Sequence, residues 1–228
     1  MPVSTSLPRR RRFSRAQIDA LDREFESAHP REIIAWAHES FGPGLCLATS
    51  FADTVLVDLA MRIDPDIPVV FSDTGFHFAE TLDTMRRAQV RYEIDLVVLR
   101  GTDDRTDVWR DGADACCAAR KVAPFRHYLR NHHEAWLSGV RRADSAERDR
   151  TPVVGIDADG LIKINPIAGW TDQQIDEYVA DHDVLVNPLT AQGYPSIGCW
   201  PCTDPADPDD PRAGRWSGLG KTECGLHL

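Results

Sequence analysis

Gly44-Leu-Cys-Leu-Ala-Thr49, followed by Pro68-Val-Val-Phe71 and Ile94-Asp-Leu-Val-Val-Leu99, decides how this chain folds. Runs this short and this apolar, bounded by turn residues, read as buried strands. The stretches between them, Thr54 to Ile63 and Phe76 to Val90, carry apolar residues at helical spacing. The order is therefore βαβαβ. It predicts an α/β fold with a doubly wound, mostly parallel sheet, helices on both faces and right-handed crossovers. Ligands of such a sheet bind beyond the C-terminal ends of its strands.

Outward from this unit, residues 14 to 40 read as two helices broken near His29-Pro30. On the other side Ala135 to Val140 reads as a strand, and Val153 to Ile164 as a hairpin turning at Asp159-Gly160. Trp170-Thr171-Asp172 opens another helix with Thr171 as N-cap. The Asp-Pro-rich stretch Thr203 to Pro211 reads as a loop. No internal repeat or linker divides the chain, so one domain is expected over 13 to 216, between a disordered basic tail (1 to 12) and a mobile arm (217 to 228).

The 228 residues, 42% of them hydrophobic, suffice for one substantial core. A net charge of -10 argues against a partner such as nucleic acid or an anionic membrane, either of which needs a broad basic surface. No apolar run approaches a membrane span, and Arg9 to Arg12 is followed by Phe13-Ser14-Arg15 rather than by a signal-peptide core. A cytoplasmic protein is expected. In that compartment six cysteines read as metal or redox residues before disulfides. Cys46, among apolar neighbours, reads as core.

Two polar turns follow the first two strands. Thr49-Ser50-Phe51-Ala52-Asp53-Thr54 could offer N–H groups and hydroxyls to an anion, or could simply cap the next helix. It has no glycine and is not a P-loop. Ser72-Asp73-Thr74-Gly75-Phe76-His77 lies at the same sheet edge, so Ser50, Asp73, Thr74 and Gly75 together outline a nucleotide-sized cleft. Plain turn chemistry accounts for Asp73-Thr74-Gly75 equally well, and His77 reads as a surface imidazole.

The cysteines carry more. Cys116-Cys117 falls in a helix that Asp114 can cap, and Arg120 and Lys121 follow each thiol by one turn. Pro124 should kink or restart that helix. Cys199-Trp-Pro-Cys202 is a tight two-ligand turn of the sort used for zinc and iron-sulfur centres. Four thiolates make a soft metal site, and Cys224 is left over as a reactive thiol.

Cys116-Cys117-Ala-Ala-Arg120-Lys121-Val122, Tyr194-Pro-Ser-Ile-Gly-Cys199-Trp-Pro-Cys202, Gly214-Arg215-Trp216 and Lys221-Thr-Glu-Cys224-Gly-Leu-His227 together resemble the assimilatory adenylyl-sulfate reductases, from about residue 30 to the C-terminus. The resemblance implies an adenine nucleotide alpha hydrolase-like sheet and a [4Fe-4S] cluster on Cys116, Cys117, Cys199 and Cys202, with Lys121 close by and counted with the substrate residues. It implies a nucleotide site at Ser50, Asp73, Thr74 and Gly75, and a phosphosulfate site at Arg148, Arg212 and Arg215. It also implies adenosine 5'-phosphosulfate as substrate, thioredoxin as reductant, sulfite and AMP as products, and Cys224 as the catalytic nucleophile forming an S-sulfocysteine, in sulfate assimilation toward cysteine. The Phe-Ala-Asp-Thr loop after Ser50 is shorter than the family's usual loop. Two other classes fit parts of the pattern. An ATP pyrophosphatase of the tRNA-thiolating kind would share the sheet, although the Ser50 loop lacks the Gly-Gly expected to cradle ATP. A zinc-bound interaction module would use the four cysteines and leave Cys224 idle.

Overall fold

The computed structural model describes residues 13–101, 106–207 and 209–226, so the basic tail expected at 1 to 12 and His227 of the C-terminal motif lie outside the described residues. The helix pair at the start is α1 (Arg15–Phe25), with Ser14 and Gln17 forming a capping box, and α2 (Pro30–Phe41), which proline starts at its first position. Then come β1 (Leu45–Thr49), α3 (Val55–Met61), β2 (Val69–Asp73), α4 (Ala79–Tyr92) and β3 (Leu96–Arg100). These are the βαβαβ elements expected from the apolar runs. Next are α5 (Val108–Cys117), a π-helical turn (Ala118–Val122), α6 (Ala123–His132) and β4 (Ala135–Ser138). The hairpin β5 (Val154–Ile156) and β6 (Ile162–Ile164) precedes α7 (Asp172–His182), which Thr171 caps as expected.

The six strands form one sheet in the order β3-β2-β1-β4-β6-β5, parallel throughout except for β5. The chain builds outward from β1 to β3, then returns to place β4 on the other side of β1. This reversal opens a crevice at the C-terminal ends of β1 and β4, where open α/β sheets bind their ligands.

Alternation along each strand divides the core in two. Leu45, Leu47, Val69, Phe71, Ala135, Leu137, Ile162 and Ile164 face the layer of α1, α2 and α3, whereas Cys46, Val70 and Trp136 face α6 through Phe125 and Leu129. Complete burial of one such aliphatic side chain contributes about 1.5–3 kcal/mol. A register slip of one residue would exchange the two faces and turn Lys163 toward the larger core, so the pairing is strongly specified. Cys46 is fully buried, as its neighbours predict. Among the described residues no helix is long and apolar enough to cross a membrane.

Candidate active site

A cavity of about 590 Å³ opens at the sheet's C-terminal edge, and its wall includes Ser50, Thr74, Lys121, Arg148, Arg212 and Arg215, all four cysteines of the two pairs, and Cys224. The loop after β1 is stitched in place. Phe51 takes a left-handed φ of 56° to bury its ring, the Val55 N–H donates to Asp53 Oδ1 at 2.9 Å, and Asn187 holds the carbonyls of Phe51 and Ala52. Asp53 thus acts as a local helix cap while its side chain also reaches the cavity wall. Burial raises its carboxyl, only partly offset by the Val55 N–H and by Arg141.

The turn after β2 divides its residues. Thr74 lines the cavity, but Asp73 pairs with Arg100 at 3.0 Å and accepts the Gly75 N–H, so Asp73 and Gly75 shape the rim without lining the cavity. Gly75 has φ 80°, which a side chain rarely adopts. His77, expected at the surface, is instead folded back into the wall by this turn. Its ring packs 4.7 Å from that of Phe71, and Nε2–H donates to the Ser72 carbonyl. Burial lowers its pKa and keeps the imidazole neutral at pH 7.

The cysteine pairs come from two irregular pieces of backbone. Helix α5 is broken at Gly112 (φ 81°), Asp107 rather than Asp114 supplies its N-terminal cap, and the Asp114 carboxylate pairs with the Lys221 ammonium. The π-helical turn follows Cys117 directly, and α6 starts with Pro124 in its first turn. Past that turn the two cations part company. Lys121 lines the cavity, while Arg120 ties down loops by donating to the Thr106 carbonyl at 2.5 Å and the Thr74 carbonyl at 3.1 Å. Cys199 and Cys202 bracket a short 3-10 turn, and Thr74 Oγ1 lies 3.1 Å from Cys199 Sγ.

The four thiols fit a soft metal centre in donor chemistry and in charge. Burial first, then Cys117 and Cys199, push Cys116 up to about 11, and burial followed by the other three thiols pushes Cys202 up to about 11. Four thiolates can coexist here only with a cationic centre among them. Among the described residues no three His, Cys, Asp or Glu side chains are gathered to ligating distance.

Two buried guanidinium groups face the same space. Arg215 stacks on Trp216, with 4.4 Å between guanidinium carbon and ring centroid, and donates to the Ile197 carbonyl. A Cβ at Gly198 would lie 2.6 Å from the Arg215 guanidinium carbon, so the guanidinium in its present place leaves no room for a side chain there. Burial and the neighbouring Arg212 lower the Arg215 pKa, though the group stays charged. The Nε atoms of Arg212 and Arg215 are buried without a hydrogen-bond partner. Unsatisfied donors of two like charges make this a site for an anion.

Cys224 is 6% exposed and packs with Ala113 and Trp216. Burial opposes its ionisation, but Lys121, the Leu226 N–H and Arg215 outweigh it and hold the thiol below its usual pKa. Glu223, which stands in the C-terminal motif but was given no role of its own, bonds both Arg148 and Arg212, and Arg148 also donates to Asp144 at 2.8 Å. Arg141, which motif reading passed over, lines the same wall.

The phosphoadenosine phosphosulfate reductase domain model matches residues 45–205. Adenosine 5'-phosphosulfate reductase of Mycobacterium tuberculosis (strain ATCC 25618 / H37Rv) is 42% identical, over 90% of this chain and 91% of its own. That of Rhodococcus opacus (strain B4) is 41% identical, over 89% and 90%. Among solved structures, phosphoadenylyl-sulfate reductase from Candida auris, a phosphate complex, has a TM-score of 0.74 at 27% identity, covering 85% of this chain and 98% of that one. FMN adenylyltransferase from Candida glabrata shares the fold alone, with a TM-score of 0.61 at 14% identity over 85% of this chain and 69% of that one. The sheet is thus of the adenine nucleotide alpha hydrolase-like type. With its cysteine pairs, buried arginines and terminal thiol on one cavity wall, the chain belongs to the phosphoadenosine phosphosulfate reductase domain family.

Proposed function

We propose that this protein reduces adenosine 5'-phosphosulfate to sulfite and AMP with thioredoxin as reductant, in assimilatory sulfate reduction. The observation that carries the reading is Cys224, a thiol of lowered pKa buried in one cavity with Lys121, Arg212 and Arg215. The mycobacterial and rhodococcal relatives are named for the substrate without a 3'-phosphate, and they align over nearly the whole chain.

The adenosine enters the crevice beside Ser50 and Thr74, and the phosphosulfate meets the cations. The Cys224 thiolate attacks the sulfur of the phosphosulfate. An S–S bond forms as the S–O bond to the phosphate breaks, and AMP leaves with that electron pair. As a phosphate, AMP needs no proton from the protein to depart. A thioredoxin thiolate then attacks Cys224 Sγ, sulfite leaves with the S–S pair, and the second thioredoxin thiol resolves the mixed disulfide. The dithiol is thereby oxidised by two electrons. For that second step the arm carrying Cys224 moves outward, and Gly218 (φ 72°) and Gly220 (φ 64°) lie where it would turn. Cys116, Cys117, Cys199 and Cys202 would hold a [4Fe-4S] cluster, which would supply a fixed charge and brace the cavity wall.

Purified protein given thioredoxin should release sulfite from adenosine 5'-phosphosulfate and far less from its 3'-phosphorylated analogue, as read by sulfite assay. Release from neither nucleotide would overturn the reading. A preference for the 3'-phosphorylated form would overturn the substrate assignment.

The arginine site makes a second prediction. Arg215→Ala removes a charge-assisted contact and should cost on the order of 2 kcal/mol, about thirtyfold in kcat/KM. Arg215→Lys should recover only part, because an ammonium neither stacks on Trp216 as a plane nor binds oxygens as a fork. Steady-state kinetics unchanged in both variants would remove Arg215 from the site.

A further inference from the structure

We propose that Glu223 is a positioning residue whose carboxylate latches the C-terminal segment to Arg148 and Arg212, and so sets Cys224 inside the cavity. The inference rests on the reading of Cys224 as nucleophile and adds the group that places it. Arg148 Nε donates to Glu223 Oε2 at 2.6 Å and Arg148 Nη2 to Oε1 at 2.9 Å, a two-pronged pair. Arg212 Nη2 donates to the same Oε1 at 3.0 Å and to the Thr222 carbonyl at 3.0 Å. The Cys224 N–H also donates to Oε1, at 2.7 Å. One oxygen therefore joins the backbone of the nucleophile to two guanidinium groups.

The surroundings make this the principal attachment of the segment. The side chains of Glu223, Arg148 and Arg212 are 7%, 12% and 12% exposed. A buried pair deprived of one partner leaves an uncompensated charge behind and is strongly destabilised. Among the described residues the segment's other ion pair joins Lys221, 11% exposed, to the Asp114 carboxylate, 85% exposed, where water screens the attraction and the pair contributes little. Leu226 packs beside the apolar cluster of Phe125 and Trp136, and its N–H bonds the Cys224 thiol, but that bond lies within the segment and ties it to no other element.

This arrangement gives Arg148 a second task. With the latch closed, its Nε, Nη1 and Nη2 each donate to Glu223 or Asp144, so Arg148 meets the substrate with only part of its guanidinium, beside Lys121, Arg215 and the unpartnered Nε of Arg212. The arginines matched to phosphosulfate binding thus share the work of holding the anion and holding the nucleophile.

The test compares full-length wild type with Glu223→Gln, which keeps the shape and removes the charge, and with Glu223→Asp, which keeps the charge and shortens the reach. Without substrate, iodoacetamide should alkylate Cys224 about tenfold faster or more in Glu223→Gln, the ratio given by 1.4 kcal/mol of lost docking free energy. The rates are compared at a pH where they have levelled off, so that thiolate fraction does not differ. Trypsin should cut after Lys221 faster in the same variant, and Cys46 should stay unreactive in all three proteins as a check on the core. Turnover should lose kcat with KM for adenosine 5'-phosphosulfate unchanged, and Glu223→Asp should fall between. Equal alkylation and cleavage in wild type and Glu223→Gln would overturn the latch. So would a lower KM with kcat retained, which would make Glu223 a competitor of the substrate. Wild type that forms no adduct with the nucleotide would sink the proposed reaction, while the alkylation and trypsin readouts would still decide the latch.

Discussion

Cys224→Ser is expected to abolish sulfite release while leaving visible absorbance and nucleotide binding intact. The thiol lies outside both cysteine pairs, and Lys121, Arg212 and Arg215 remain to bind the anion. A hydroxyl at this position would be almost wholly protonated at neutral pH, and its ester with the sulfonyl group could not be opened by thiol–disulfide exchange. The loss should therefore reach the limit of detection. Wild type mixed with adenosine 5'-phosphosulfate, without thioredoxin, should gain one SO3 on the peptide containing Cys224, and added thioredoxin should remove it. Mass spectrometry that finds the adduct on a different cysteine, or a serine variant with near-normal release, would defeat the assignment.

How much of this was legible in the sequence depends on the range of each interaction. The sheet was legible because burial on both faces makes short apolar runs, and strand alternation splits them between two helix layers. That the cysteines and Arg215 belong together was legible because they stand in recognisable local spacings, and folding does bring them to one cavity wall. The pairing of Glu223 was not, because its partner Arg148 is 75 residues away and only folding joins them. Asp114 looked like a helix cap because caps are local, yet Gly112 breaks the helix and frees that carboxylate for Lys221. Arg120 looked equivalent to Lys121 at α-helical spacing, which the π-helical turn alters. His77 looked exposed because nothing in its neighbours reveals that the turn at Gly75 folds it back beside Phe71. The close approach at Gly198 was hidden too, since it arises from a guanidinium delivered by another loop.

Cys199→Ser tests the other half of the cysteine division, and its expected effect is loss of both the metal centre and folded protein. Anaerobically purified wild type should absorb broadly in the visible and contain iron and acid-labile sulfide in equal amounts. Stoichiometric zinc without iron would exclude the cluster. Cys199 is also structural in its own right. Its carbonyl accepts the Thr203 hydroxyl and the Cys202 N–H, its thiol meets Thr74, and the Phe76 carbonyl accepts the N–H of the next residue, Trp200. Loss of this ligand would leave the remaining raised-pKa thiols of Cys116 and Cys202 without their cationic centre, and they would bind protons instead. Ligand binding to the native state alone adds directly to folding free energy, so the variant should unfold at lower denaturant and accumulate poorly. Cys224→Ser, by contrast, should unfold close to wild type. If Cys199→Ser kept its iron, its sulfide and its unfolding midpoint, the fourth ligand would have to be sought elsewhere, and the separation of a bound set of thiols from one reactive thiol would fail.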